Sequence, residues 1–305
     1  MKFELLILGS NSALPAYGRH PTAQLIRFYN DYLLIDCGEG TQMQLQSYGV
    51  KVNRISTIFI SHLHGDHFFG LIGLISTMNH LGRSSPLVVF GPADLEEILR
   101  VQFEVSKTLL GFSLQFKPLN HDLPAVIMEN DRIEVRSFPL NHRVSCTGFR
   151  FNEKNRPLKL IKEKVKKDQV PVSFMKKLKA GEDCSTGEGK TYFSADYTLP
   201  GPSNRSYAYC SDTMADESYE PYIQKVDVLY HEATFLHELL SRAVQTKHST
   251  ALQAAEVAKR VQAKQLLLGH FSSRYENVQP LLTEAKKVFP QALCAEEGKW
   301  FEIGN

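Results

Sequence analysis

Four residues with metal-binding side chains lie within six positions of the chain: His62, His64, Asp66 and His67. Residues 55–60 before them are β-branched and aromatic and predict a strand. The apolar residues 68–75 after them predict a buried helix. The four side chains therefore lie on a short loop at the C-terminal end of a strand, where open α/β sheets place their binding sites. Imidazole nitrogens and a carboxylate suit zinc or a similar divalent cation, and a histidine-rich polar turn is the disfavoured alternative.

One loop cannot supply the ligands of two metal ions, and further candidates lie downstream. Three more strand-like segments end on a suitable side chain: residues 133–140 before His142, 206–210 before Asp212, and 264–268 before His270. Strands that end on His or Asp would place these ligands along one rim of a scaffold of sheets. This is the expected design of a two-metal site that loops build on rigid elements.

The elements that must position these residues alternate along the whole chain. Strand patterns and helix patterns are interleaved in both halves, and an alanine-rich helix over residues 249–262 begins at the capping sequence His248-Ser249-Thr250. This order favours two packed sheets with helices outside them, in an α/β fold. A length of 305 residues with 43% hydrophobic and 22% charged residues is typical of globular proteins of one or two domains.

Composition excludes some classes of protein. No apolar run is long enough to span a bilayer, and residues 1–9 predict a first strand rather than a signal peptide. The five cysteines are scattered and form no CxxC pair. Reduced thiols in a cytoplasmic protein are therefore predicted, without a cysteine metal site and without a membrane partner.

Positive charge is concentrated in one stretch of the chain. Residues 153–179 contain ten Lys or Arg against three Asp or Glu, a net charge of +7, so the remaining residues carry −5 of the total of +2. This asymmetry predicts a basic element on a mildly acidic body. A solvated charged loop and an RNA-binding arm are the two interpretations. The basic residues are Lys154, Arg156, Lys159, Lys162, Lys164, Lys166, Lys167, Lys176, Lys177 and Lys179.

Several motifs together resemble a known family. The SHLHGDH sequence at 61–67 resembles the signature of the metallo-β-lactamase superfamily, which has an αββα sandwich fold. DCGEGTQ at 36–42, HEAT at 231–234 and HST at 248–250 resemble more specifically ribonuclease Z, the tRNA 3′-processing endonuclease. The resemblance covers nearly the whole chain. It implies one metallo-β-lactamase-type domain over residues 1–305, with a protruding basic arm inserted at about 153–190.

The resemblance also implies a site with two zinc ions per chain, with Mn²⁺ or another divalent metal as the alternative. It assigns one ion to His62, His64 and His142. It assigns the other to Asp66, His67 and His270, with Asp212 bridging the two. Asp66 would also orient the nucleophile and accept its proton. Asp36 and His231 would contact the ligand side chains rather than the metal ions. His231 has the alternative of a hydrogen-bonded buried histidine.

The same resemblance implies the reaction. The enzyme would hydrolyse the phosphodiester 3′ of the discriminator base in precursor tRNA, giving a 3′-hydroxyl on the tRNA and a 5′-phosphate on the trailer. His248 would protonate the leaving oxygen, with Glu232 as its orienting partner, although His248 can also be a simple helix-start residue. A homodimer is implied, with the arm gripping the tRNA. The rival functions are hydrolysis of a small phosphodiester, lactone or thioester on the same fold, and metal-stabilised RNA binding without catalysis.

Overall fold

A computed structural model describes residues 2–187 and 189–304 of the chain. These residues form eighteen strands, most of them short. In chain order the strands are β1 (Phe3–Gly9), β2 (Ala23–Phe28), β3 (Asp31–Ile35), β4 (Ile55–Phe59), β5 (Leu87–Gly91), β6 (Leu114–Pro118), β7 (Ala125–Glu129), β8 (Ile133–Leu140), β9 (Cys146–Glu153), β10 (Lys159–Leu160), β11 (Cys184–Ser185), β12 (Thr191–Tyr192), β13 (Thr198–Leu199), β14 (Ser206–Cys210), β15 (Val228–Glu232), β16 (Gln265–Gly269), β17 (Ala292–Cys294) and β18 (Trp300–Glu302).

Ten α-helices are interleaved with these strands in the described part of the chain. They are α1 (Thr41–Ser47), α2 (Gly65–Phe68), α3 (Leu71–His80), α4 (Asp94–Val105), α5 (Lys162–Lys167), α6 (Val172–Lys179), α7 (Ser194–Tyr197), α8 (Leu240–Thr246), α9 (Ala251–Arg260) and α10 (Gln279–Lys286). One helix predicted over 68–75 is in fact two. Helix α2 ends at Phe68 and α3 begins at Leu71, and Phe69 between them is exposed rather than buried.

The first of two compact units comprises the chain up to Ile127, Val135–Phe151 and the chain from Ser206. It contains most of two seven-stranded sheets. The first sheet has the order β18-β1-β2-β3-β4-β5-β6, with parallel pairing from β3 to β6. The second has the order β17-β16-β15-β14-β9-β8-β7, with parallel pairing from β14 to β17. Parallel neighbours end at the same edge, so loops that follow them meet there.

The inner faces of the two sheets pack against each other. The ring of Phe59 on β4 lies 5.5 Å from the rings of Phe149 and Phe151 on β9. The Tyr207 hydroxyl on β14 donates a hydrogen bond to Gln24 on β2. Strand β1 is buried along its whole length, which explains why its sequence, FELLILG, is almost continuously apolar rather than alternating.

Helices cover the outer face of each sheet. Apolar residues of α1, α3 and α4 join one core cluster with strands of the first sheet. Residues of α9 and α10 join a second cluster with β15 and β16. Helix α9 begins with a capping box, in which the Thr250 side chain accepts from the Gln253 backbone and Gln253 bonds the Thr250 backbone in return. The layers are helix, sheet, sheet and helix, as the αββα prediction requires.

The second compact unit comprises Met128–Glu134 and Asn152–Arg205. It contains α5, α6, α7 and two small two-stranded sheets, β10-β13 and β11-β12. It has a small apolar core of its own, formed by Val165, Val170, Leu178, Cys184, Tyr192 and Tyr197. The insertion predicted at about 153–190 lies within this unit, which continues to Arg205. No helix among the described residues is long and apolar enough to cross a membrane.

Candidate active site

The predicted ligands follow the C-terminal ends of strands β4, β8, β14 and β16. Asp66 and His67, which were predicted on a loop, lie on the one-turn helix α2, and the other five lie in loops. Three residues at strand ends have left-handed backbone conformations: Asp36 after β3 (φ 55°), Asp212 after β14 (φ 57°) and His270 after β16 (φ 56°). Residues other than glycine rarely adopt this conformation, and such strain collects at functional sites. The left-handed residue turns the chain sharply where the strand ends.

Asp212 lies between two groups of histidines, and each of its carboxylate oxygens contacts one group. The Oδ2 atom is 3.5 Å from His62 Nε2 and 3.6 Å from His142 Nε2. The Oδ1 atom is 3.1 Å from His67 Nε2 and 3.0 Å from His270 Nε2. This is the geometry of a carboxylate that can bridge two cations.

His64 completes the first group. Its Nδ1 atom is 3.0 Å from His62 Nε2 and 3.3 Å from His142 Nε2. With Asp212, these four side chains place one ligand atom each within 4.8 Å of one another. Several imidazole nitrogens that converge on one point and have few other partners need a positive charge between them. The donor set therefore fits a divalent cation such as zinc.

Asp66 completes the second group. Its Oδ2 atom is 3.6 Å from His67 Nε2 and 3.5 Å from His270 Nε2. Both of those nitrogens are buried and have no hydrogen-bond partner. Buried polar atoms are almost always satisfied, so two orphaned nitrogens beside two carboxylates indicate a missing ligand. This group, too, has the donor chemistry of a divalent metal site.

Second contacts hold the histidine rings so that Nε2 faces the cluster. His67 Nδ1 is 2.7 Å from Asp36 Oδ2, a contact that suits an orienting carboxylate. The other anchors were not found from sequence. The Nδ1 atom of His62 is 3.0 Å from Ser61 Oγ. The Nδ1 atom of His142 is 3.0 Å from the Lys247 carbonyl oxygen, and that of His270 is 3.0 Å from Thr234 Oγ1. Their only sequence signal is proximity to the ligand motifs, because Ser61 precedes His62 and Thr234 belongs to HEAT.

Burial and the carboxylates of the site act in opposite directions on the pKa values of its histidines. Burial lowers the pKa of His64 and of His142 to about 4. Burial would also lower the pKa of His270, but the Asp212 carboxylate raises it to about 10. Burial would raise the pKa of Asp212, but the charges of His270 and His67 hold it well below its usual range. The site therefore attracts positive charge, and a bound cation would displace the protons.

Glu232, at the end of β15, forms a buried pair with His248. Its Oε1 accepts from the Thr213 N–H at 2.7 Å and lies 2.8 Å from His248 Nδ1. Its Oε2 accepts from the Thr234 hydroxyl at 2.6 Å and from the Ser249 N–H at 3.0 Å. Burial would lower the pKa of His248, but Glu232 raises it above its usual value. One His248 nitrogen lies within 4.8 Å of ligand atoms of Asp212 and His270, so a proton on His248 is close to the cluster.

Comparisons with known proteins identify the family of the chain. The chain is 47% identical to Ribonuclease Z of Cytophaga hutchinsonii, over all of this chain and 97% of that protein. It is 44% identical to Ribonuclease Z of Parabacteroides distasonis, over 97% of each chain. The chain belongs to the ribonuclease Z family. Members of this family are metal-dependent hydrolases with the metallo-β-lactamase fold, and the family resemblance found in the sequence is confirmed.

Solved structures give the same fold for this ribonuclease Z relative. The short form of human tRNase Z matches 99% of this chain and 100% of its own, with a TM-score of 0.70 and 26% identity. The metallo-β-lactamase fold protein YhfI from Bacillus subtilis matches with a TM-score of 0.69 at 20% identity, which shows the fold alone. A family model described as Anti-Pycsar protein Apyc1 matches residues 3–154.

His231, in the HEAT sequence at 231–234, does not make the predicted contact with a ligand side chain. Its Nε2 atom is 2.8 Å from the Tyr219 hydroxyl, and its Nδ1 atom is 2.8 Å from the Glu232 carbonyl. Both nitrogens are thus used away from the two ligand groups. His231 is the hydrogen-bonded buried histidine that the sequence left as the alternative.

An open cavity of about 480 Å³ leads to the cluster in this ribonuclease Z fold. It is lined by the predicted ligands His64, Asp66, Asp212 and His270, by His248, and by residues that the sequence did not indicate. The missed residues are Ser12, Ala13, Leu14, Pro15, Pro21, Glu39, Gly65, Phe69 and Arg143. The Ala13 N–H donates to Asp66 Oδ2 at 2.7 Å, so the loop between β1 and β2 also fixes a proposed ligand.

The ten basic residues of the predicted arm fall into two sets. Lys154, Arg156 and Lys164 are half-buried and form ion pairs with Glu129, Glu153 and Asp196. The other seven are exposed, and no ion pair is found for them among the described residues: Lys159, Lys162, Lys166, Lys167, Lys176, Lys177 and Lys179. The second set is available to an anionic partner.

Proposed function

We propose that this ribonuclease Z relative is a zinc-dependent endoribonuclease that cleaves precursor tRNA 3′ of the discriminator base. The products would be a tRNA with a 3′-hydroxyl and a trailer with a 5′-phosphate. The observation that carries the proposal is the position of Asp212, whose two oxygens face two separate ligand groups. The names of its full-length relatives support the RNA substrate.

Seven residues would hold two zinc ions. His62, His64 and His142 would bind one ion, Asp66, His67 and His270 the other, and Asp212 both. When bound, such a metal pair lowers the pKa of water toward ~7 and neutralises charge on a phosphodiester. Zinc suits the mixture of imidazole and carboxylate donors, and manganese is the alternative.

The remaining groups would move and hold protons. Asp66, fixed by the Ala13 N–H, would accept the proton of the attacking water and orient it. His248 would carry a proton to the leaving 3′-oxygen, because Glu232 raises the pKa of this histidine and fixes its ring. His248 remains available for this role because each metal group is complete without it.

The second compact unit would act as the RNA-binding arm of a single-domain enzyme. Its seven exposed lysines offer positive charge to a phosphate backbone, which provides affinity without sequence specificity. We also propose a homodimer in which the arm of one subunit serves the active site of the other. This part rests on the family resemblance, and sedimentation of the purified protein tests it directly. A cytoplasmic location stays a prediction.

The decisive experiment incubates the purified protein with one unprocessed tRNA, with and without a chelator. Cleavage after the discriminator base, loss of cleavage with the chelator and recovery with added zinc are the expected results. A nitrophenyl phosphodiester, a lactone and a thioester are assayed in parallel. Turnover of a small ester without cleavage of precursor tRNA would favour the small-substrate hydrolase. Binding of RNA without any metal-dependent turnover would favour the non-catalytic protein.

A further inference from the structure

Two large apolar side chains are exposed at the mouth of the catalytic cavity. Phe69 is 64% exposed and Leu14 is 60% exposed, and both line the cavity that contains Asp66, Asp212 and His248. Most phenylalanines of this protein are buried in its cores. An aromatic ring left in water beside reactive groups indicates a binding role, because burying it elsewhere would stabilise the fold.

The ring of Phe69 is held in place rather than free. A Cβ atom on Gly65 would lie 2.2 Å from the nearest ring carbon of Phe69, so the ring lies directly against the Gly65 backbone. Gly65 stands between the proposed ligands His64 and Asp66. The ring also packs edge-on against Phe68, with centroids 4.9 Å apart. Its distance from the metal loop is therefore fixed, and only its outer face is open.

Leu14 lines the same cavity, and hydrogen bonds fix its backbone. Its N–H donates to the Ser12 carbonyl, and its carbonyl accepts from the Asn11 side chain at 2.5 Å. Asn11 in turn accepts from Arg19 Nε at 2.9 Å. The loop that carries Leu14 also binds Asp66 through the Ala13 N–H. Two rigid apolar groups are thus tied to the same proposed ligand loop.

We propose that Phe69, with Leu14, is a stacking platform for the nucleobase of a nucleotide that flanks the scissile phosphate. A phosphate bound at the metal groups has a base attached through its ribose on either side, and a flat apolar ring is what such a base requires. Stacking uses the π-face that every base has, so the platform positions substrates without selecting their sequence. The proposal rests on the proposed function, because it assumes an RNA substrate at this site.

The test is a cycle that removes the ring, the base, or both. Single-turnover kcat/KM is measured for the wild type and for Phe69→Ala, on precursor tRNA with normal bases and with an abasic nucleotide on either side of the cleavage site. Stacking on an aromatic side chain corresponds to a loss of roughly 5- to 150-fold per base when the side chain is removed. We expect that loss for Phe69→Ala on the normal substrate. On one of the two abasic substrates, Phe69→Ala should be nearly as active as the wild type, because the base that stacks on the ring is already absent.

Two variants separate stacking from damage to the fold. Phe69→Trp keeps an aromatic face and should retain most activity. Leu81→Ala removes an apolar side chain that is 62% exposed but does not line the cavity, and it should be unchanged. Metal content is measured for each variant to confirm that the ligand loop is intact.

The outcomes are distinguishable from those that test the proposed function. No cleavage of precursor tRNA by the wild type overturns the proposed function itself. Normal wild-type cleavage overturns the platform alone if Phe69→Ala is equally active. The platform is also overturned if Phe69→Ala loses the same factor on normal and on both abasic substrates, because the ring would then not act through a base.

Discussion

Replacing Glu232 by glutamine separates the charge of this residue from its shape. The carboxylate bonds to Thr213, Thr234, Ser249 and His248, and each of these bonds uses an acceptor oxygen. A glutamine has one oxygen and one NH₂ group. Whichever way it is turned, its NH₂ faces a backbone N–H, either that of Thr213 or that of Ser249. One buried donor then loses its partner, which costs about 1–3 kcal/mol of stability.

The larger effect concerns the proton on His248. The pKa of this histidine lies above its usual value because Glu232 offsets the effect of burial. Removing the negative charge leaves burial as the dominant effect, so the pKa falls. A general acid must be protonated, and therefore activity is lost as the pH rises through this pKa. The alkaline limb of the rate profile should move to lower pH in the variant.

The assay is single-turnover cleavage of precursor tRNA from mildly acidic to alkaline pH, for the wild type and Glu232→Gln. At low pH, where His248 is protonated in both, the two rates should converge. At neutral pH the variant should be slower, by at most about 10- to 100-fold, because a hydrogen bond to a charged group is worth about 1.5–3 kcal/mol. Metal content, measured in parallel, should stay near that of the wild type. An unchanged alkaline limb would refute the view that Glu232 keeps His248 protonated.

Three further predictions concern the metal groups, the acid and the arm. Asp212→Ala should lose cleavage and much of the bound zinc, because each carboxylate oxygen of Asp212 faces one of the two groups; two zinc ions per chain with normal cleavage would contradict the two-metal assignment. His248→Ala should slow precursor-tRNA cleavage by roughly 10²–10⁴-fold but spare a nitrophenyl phosphodiester, whose leaving group needs no proton; equal losses on both would exclude the acid role. Neutralising the exposed lysines should weaken tRNA binding and flatten its dependence on salt, by about 0.7–0.9 in log–log slope for each phosphate that the arm no longer binds, with small-ester hydrolysis unchanged. An unchanged dependence of tRNA binding on salt would mean that these lysines form a solvated surface and do not bind the tRNA. These lysines are Lys159, Lys162, Lys166, Lys167, Lys176, Lys177 and Lys179.

The structure determines how the arm has to be tested. Deleting about 154–179 would remove Val165, Val170 and Leu178 and expose Tyr192 and Tyr197, which share their core. A fall in activity would then report damage to the unit rather than weaker phosphate binding. Substituting the exposed lysines leaves this core intact. Lys154→Gln is the matched control, because this lysine is half-buried and paired with Glu129.

The proximity of these His and Asp side chains was predictable because residue type and position carried the information. Strands that end on His or Asp place those side chains at one edge, and parallel pairing brings the ends of β14, β15 and β16 together. The orienting Thr234 and the backbone donor of Ala13 were not predictable. They act through distances between segments far apart in the chain, and neither residue type is specific for such a role.

The second unit was harder to predict for a physical reason. Its apolar residues are few and are divided between two short helices and several two-residue strands, so no helical or alternating period extends beyond the eight residues of α6. Val165 and Leu178 are buried only because segments from both ends of the insertion meet. Lysines around them dominate the local composition. The sequence therefore showed the charge of this unit but not its core.

Phe69 shows the opposite failure, in which a strong pattern misleads. An apolar run from 68 to 75 predicts one buried helix, yet the chain breaks between α2 and α3. The break is fixed by Gly70, where an added Cβ would lie 2.1 Å from the Gly38 carbonyl oxygen, so the backbones are in direct contact there. The Gly70 N–H also donates a hydrogen bond to the Cys37 carbonyl. These two contacts hold residues 62–67, which carry the proposed ligands, against the turn that carries Asp36. Exposure of Phe69 is thus a consequence of the packing that positions His67 beside Asp36. The same local geometry that builds the second ligand group also presents an aromatic ring at the entrance to the site.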